Sequence, residues 1–163
     1  SIRRRFISDI LHPLLSSSDL DVLIKPHPGE KTAYYRTLLS DLGFDKSDRV
    51  DIIERDLYKH IFESRAVLTI GSNVAIEAVI LDTPAICYNV WKPFLRTPLF
   101  VKYGTIPQIE SPDEFAAFVT DLDTAELLRQ QRPMVVDDYK IRGNSIEQIT
   151  DRIISELEHR EDL

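Results

Sequence analysis

The stretch Ala66–Asn89, AVLTIGSNVAIEAVILDTPAICYN, decides the fold. It reads as strand, tight turn, helix, turn, strand. Val67, Leu68 and Ile70 form a short apolar run of strand length, and Ala85, Ile86, Cys87 and Tyr88 form another. Between them Gly71 supplies a turn, and Ser72 or Asn73 can cap a helix. That helix is apolar nearly all round (Val74, Ala75, Ile76, Ala78, Val79, Ile80, Leu81), which predicts burial, and Glu77 is its one charge. Glu77 is not the partner of a capping box, because Ala75 stands three residues after Ser72. It follows Asn73 by four residues, so the two share a face near the helix N-terminus. Such an end draws anions through its free N–H groups and its dipole. Small polar residues there, with a carboxylate one turn on, suit a phosphate beside a hydroxylated group such as ribose.

The flanking chain repeats the alternation. Towards the N-terminus, Asp21–Lys25 reads as a strand that stops at Pro26-His27-Pro28-Gly29, and Val50–Ile53 reads as another. Helices are predicted from Glu30 to Leu42, with Tyr34, Tyr35, Leu38, Leu39 and Leu42 inward and Gly43 as its cap, and from a capping Asp56 through Ser64, with Leu57, Ile61 and Phe62 inward. A first helix carries Ile2, Phe6, Ile7, Ile10, Leu11, Leu14 and Leu15, and ends near His12-Pro13 or in Ser16–Ser18. Past Asn89 the pattern weakens into a loop with a short helical piece. It resumes with a strand at Thr105–Ile109 and a marked helix start at Ser111-Pro112-Asp113-Glu114. Further helices are expected over Thr124–Gln131 and from about Ser145. Strands alternating with helices predict an α/β domain, a Rossmann-like three-layer sandwich with a mainly parallel sheet. Ligands of such sheets bind at the carboxyl ends of the strands, which would put His27 and Ser72 on one rim.

Composition narrows the function classes. The chain has 163 residues, 43% hydrophobic and 29% charged, enough for one domain with a real core. A net charge of −7 argues against a broad nucleic-acid footprint, and Arg3, Arg4 and Arg5 read as the solvated face of the first helix. No apolar run is long enough to span a bilayer and no signal-peptide pattern is present, so a cytoplasmic home fits. The single cysteine, Cys87, allows no internal disulfide and reads as a buried inert thiol; no cluster has metal-ligand spacing, so no metal is expected. The chain opens on a helix where an α/β protein would place a strand; residues 1–163 read as a single nucleotide-binding α/β domain, a fragment of a longer two-domain protein.

Two places carry chemistry. In Lys25-Pro26-His27-Pro28 each proline removes a donor and biases the residue before it towards extended backbone, so a stiff segment presents His27. Its imidazole can donate to a phosphate or act as an acid for a leaving group, with Lys25 adding charge. A turn that merely ends a strand explains the same residues, and local spacing weighs the two readings equally. Glu77 is the second place: an unpaired carboxylate is costly to bury, so it calls for a partner, either a ribose diol or an arginine elsewhere in the chain. Ser72 and Asn73 are helix caps to which phosphate binding is an addition. Arg55-Asp56 is a helix start on a loop that could touch a base. There is no GxGxxG and no Walker loop, and Ser72 lacks the G-x-S-x-G context of a hydrolase.

Taken together, VLIKPHPGE, DLYKHIFESRAVLTIGSNVAIEAVILDTPAICYN, a late Gly-Asn-Ser and an amphipathic final helix resemble the C-terminal, nucleotide-donor-binding half of GT-B glycosyltransferases. The likeness is to bacterial surface-polysaccharide transferases of the polysialyltransferase, capsule Kdo-transferase and CDP-glycerol glycerophosphotransferase kinds. It implies that His27, the catalytic candidate, and Ser72, with Lys25, Gly71 and Asn73 beside them, contact donor phosphates, and that Glu77 contacts the ribose. It implies a CMP-, CDP- or UDP-activated donor as substrate and no other cofactor. The partner would be an N-terminal acceptor domain that supplies the catalytic base, and peripheral membrane association of the longer protein is compatible with it. Where the family's serine motif often has two adjacent hydroxyl residues, this chain has Gly71-Ser72-Asn73. Two other readings share the architecture: one half of a sugar-nucleotide 2-epimerase, and a non-catalytic interaction domain in which Glu77 pairs with an internal arginine.

Overall fold

The computed structural model describes residues 2–89, 99–102 and 104–138. In chain order the elements are α1 (Ile2–Ser17), β1 (Val22–Ile24), α2 (Thr32–Asp41), β2 (Val50–Ile52), α3 (Leu57–Glu63), β3 (Val67–Thr69), α4 (Val74–Ile80), β4 (Ala85–Tyr88), α5 (Leu99–Lys102), β5 (Gln108–Ile109), α6 (Pro112–Thr120) and α7 (Thr124–Asp138). The chain is thus an α/β protein with short parallel strands. Those strands pair as two sheets, β1-β2 and β3-β4-β5, where the alternation had suggested a single one. The described residues divide into two compact units: α1, β1, α2, β2 and α6 make the first, and the other elements the second. The late Gly-Asn-Ser and the helix expected from Ser145 lie outside the described residues, as does most of the loop after Asn89.

In the first unit the helical spacing of Ile7 and Leu11 turns both into a core with Ile24 of β1 and with Tyr35, Leu38 and Leu39 of α2. Val22 stands opposite Val50 and Ile24 opposite Ile52, in parallel register. α1 runs through Pro13 and ends at the serines. The carbonyls at that end would be orphans, as at any helix C-terminus. The Leu14 oxygen takes the Ser18 N–H and hydroxyl, and the Arg49 guanidinium donates to the oxygen of Leu15 (3.1 Å) and, just past the helix, to those of Ser18 (2.6 Å) and Leu20 (2.7 Å). α2 closes as its sequence predicts. Gly43 takes φ +80°, and the Phe44 N–H reaches back to the Leu39 oxygen at 2.8 Å. α6 begins on Ser111, whose Oγ accepts from the Glu114 N–H at 3.1 Å, with Pro112 at the first position.

In the second unit β4 lies between its neighbours, and all four of its residues are buried. Cys87 N–H bonds the Pro107 oxygen and Asn89 N–H the Ile109 oxygen, each at 2.9 Å or less, but β5 is too short to reach Ala85. A side chain fills that gap. Gln131 of α7, 2% exposed, accepts from the Ala85 N–H (3.0 Å) and donates to its carbonyl (2.6 Å). α4 packs on α7, β3 and β4 through Ala75, Ala78 and Val79, none of which is exposed. It ends with Asp82 in the left-handed region at φ +60°, and the Thr83 N–H returns to the Ala78 oxygen at 2.9 Å. Asp82 also pairs with Arg132.

Some faces differ from the expected ones. Tyr35 is buried, but its neighbour Tyr34 is 42% exposed, because adjacent helical positions point about 100° apart. Phe62 is 59% exposed for the same reason, since Ile61 takes the inward position on α3. Asp56 stands at φ +56°, away from the extended backbone of a capping residue. His12 lies within α1 and sets its ring edge against Phe44 at 5.0 Å.

Candidate functional site

β1 and β2 are parallel, so their carboxyl ends lie side by side, joined by a bond from the Ile53 N–H to the Ile24 oxygen (2.9 Å). Beyond those ends an open cavity of about 200 Å³ is lined by Lys25, Pro26, His27, Pro28, Glu30, Thr32, Ile53 and Glu54. Cavities that enclose whole small molecules run to roughly 300–1,000 Å³. This one is of a size for part of a ligand, such as a phosphate with the group attached to it. It is the place where open parallel sheets bind ligands.

His27 is exposed, while Pro26 before it is buried. The Gly29 N–H points at Nδ1 from 3.1 Å, which assigns Nδ1 as an acceptor and leaves the ring proton on Nε2. Lys25 sends its ammonium to the Pro26 carbonyl at 3.3 Å. The backbone of this turn is held by Glu30, which by its sequence is the first residue of a helix. Glu30 N–H donates to the His27 oxygen (2.8 Å), and Oε2 of the same residue accepts from the His27 N–H (3.2 Å) and from the Tyr35 hydroxyl (2.5 Å). Its other oxygen takes the Arg3 guanidinium. The Tyr35 hydroxyl first, then Arg3 and the His27 N–H, hold the Glu30 carboxyl below the usual carboxylate range, against the opposing effect of burial. Glu30 lies in this turn, and α2 starts after it, at Thr32.

The β3–α4 turn carries Gly71, Ser72, Asn73 and Glu77 in the second unit. Gly71 has φ +148°, a conformation that side chains resist. Thr69 Oγ1 accepts from the N–H groups of both Gly71 (3.2 Å) and Ser72 (3.0 Å). Ser72 Oγ accepts from the Val74 N–H at 3.3 Å, while Asn73 makes no side-chain cap. The next donors, on Ala75 and Ile76, already bond the Ser72 and Asn73 oxygens. A phosphate at this seven-residue helix would therefore have to displace the internal bonds of the Val74, Ala75 and Ile76 N–H groups. Glu77 is half-buried and, among the described residues, makes no ion pair; water reaches it, which lowers the cost that called for a partner. The structure brings Lys25 and His27 together at one cavity and Gly71, Ser72, Asn73 and Glu77 together at one turn, each group within its own unit.

Cys87 is fully buried in β4, and burial pushes its thiol up to about 11, so it stays protonated and unreactive at neutral pH. Asn89, 1% exposed, donates to Gln108 at 3.2 Å while its Oδ1 is left without a partner. Among the described residues no three His, Cys, Asp or Glu side chains group closely enough to hold a metal ion, and no helix is long and apolar enough to cross a membrane. Comparison with models of known families, with characterised proteins and with solved structures found no match in any of the three.

Proposed function

We propose that the chain is the nucleotide-donor half of a GT-B type transferase, moving a glycosyl or glycerophosphate group from a CMP-, CDP- or UDP-activated donor in surface-polysaccharide synthesis. One observation carries the reading: His27, set between two prolines at the carboxyl ends of two parallel strands, lines a cavity with its Nε2–H unspent. A donor aimed at the place where negative charge develops stabilises a departing nucleotide phosphate, and it does so most when it need not reorganise. Lys25 adds a positive charge at the same cavity. In this reading an acceptor domain supplies the base that activates the acceptor.

The test is calorimetric titration of the domain with CMP, CDP, UMP and UDP, alongside His27→Ala and Glu77→Ala. The expected result is a preference for one base, weakened about tenfold or more in His27→Ala, which loses a hydrogen bond to a charged group. Equal affinity in the wild type and His27→Ala contradicts the assignment.

A further inference from the structure

The turn from Pro26 to Glu30 is tied down more firmly than the end of a strand requires. Its ends are closed on each other twice, by the Glu30 N–H on the His27 oxygen and by Glu30 Oε2 on the His27 N–H. Two helices then grip the carboxylate, α1 through Arg3 and α2 through the buried Tyr35. With the backbone in this shape the Gly29 N–H meets Nδ1 of the ring.

We infer that Glu30 is the positioning residue of the His27 site: it shapes the turn so that the ring proton stays on Nε2, and that nitrogen is offered to a phosphoryl oxygen of the ligand. The ligand in this statement rests on the phosphate-binding reading above, whereas the geometry of the turn does not. The same bonds explain how a glutamate can line a cavity meant for an anion. Its charge is offset by the Arg3 guanidinium, and its lone pairs are filled by protein donors, so it neither competes for the ligand nor stands against it unscreened. Arg3 thereby has a role beyond the solvated face it shares with Arg4 and Arg5.

The experiment reads two quantities on folded protein. Two-bond proton–nitrogen NMR of the unliganded histidine ring reports the tautomer, and titration with CDP reports the affinity. Wild type is expected to show the Nε2–H tautomer alone. Glu30→Gln, which cannot accept from Arg3, Tyr35 and the His27 N–H together, is expected to mix the tautomers and weaken CDP about tenfold. Tyr35→Phe keeps the ring in the core and removes one donor, so it is expected to move both readouts the same way by less; it decides the matter should Glu30→Gln not fold. A single unchanged tautomer in these variants overturns the role of Glu30, even if His27→Ala abolishes CDP binding. Unchanged CDP affinity in His27→Ala instead overturns the phosphate reading, and the tautomer still judges Glu30.

Discussion

The hydroxyl of Tyr35 lies 2.5 Å from the Glu30 carboxylate, and the two residues set opposite limits on the pH range of the first unit. Burial first, and the bond to Glu30 second, push the Tyr35 phenol from 10.0 up to about 12. The folded state then keeps a proton that the unfolded chain has begun to lose. The stabilisation is whole below pH 10 and lost as pH rises through about 12. It amounts to at most about 2–3 kcal/mol. Glu30 works the other way: with its carboxyl held low, its contribution is present at neutral pH and lost as pH falls below the ordinary carboxylate range. Urea midpoints measured from about pH 9 to about pH 12 should fall more steeply for the wild type than for Tyr35→Phe. Equal slopes would contradict the coupling.

Among the elements, β4 depends on a side chain for part of its ladder. Gln131 serves both backbone groups of Ala85 where β5 does not extend. Gln131→Leu fits the volume but leaves a buried N–H and a buried carbonyl unpaired, at about 1–3 kcal/mol each. The expected loss in urea unfolding is about 3 kcal/mol; a loss under about 0.5 kcal/mol, the size of an ordinary surface change, would contradict the role. This contact shows where reading by pattern runs out. The signals for α4, the Gly43 cap and the Ser111 start are local, since spacing, a glycine or a capping serine acts within a few residues, and these elements form as expected. Gln131 meets Ala85 across forty-six positions, and nothing in the neighbourhood of either residue announces the other. Arg49 on the end of α1 is the same kind of contact, thirty-four positions from Leu15.

For the molecule as a whole, the alternation of strands and helices makes the α/β class legible, but not which strands pair: strands of two to four residues carry no partner information, and they sort into two sheets. The candidate site was half legible. His27 stands out because two prolines flank it, and Lys25 because it precedes them. Glu30 does not, since a glutamate before a helix is ordinary until its four bonds are seen. Glu54, at the end of β2 on the cavity wall, was equally silent. With a net charge of −7 the protein repels anions at long range, so the proposed phosphate binding would have to come from this local arrangement of donors. In the proposed function the cavity at the ends of β1 and β2 takes the phosphate of a nucleotide. Chemical-shift mapping by NMR during titration with CDP addresses it most directly. The largest changes are expected at Lys25, His27, Gly29 and Glu30, with smaller ones at Ile53 and Glu54, all saturating together. Changes confined to other residues, or none at millimolar CDP, would contradict it.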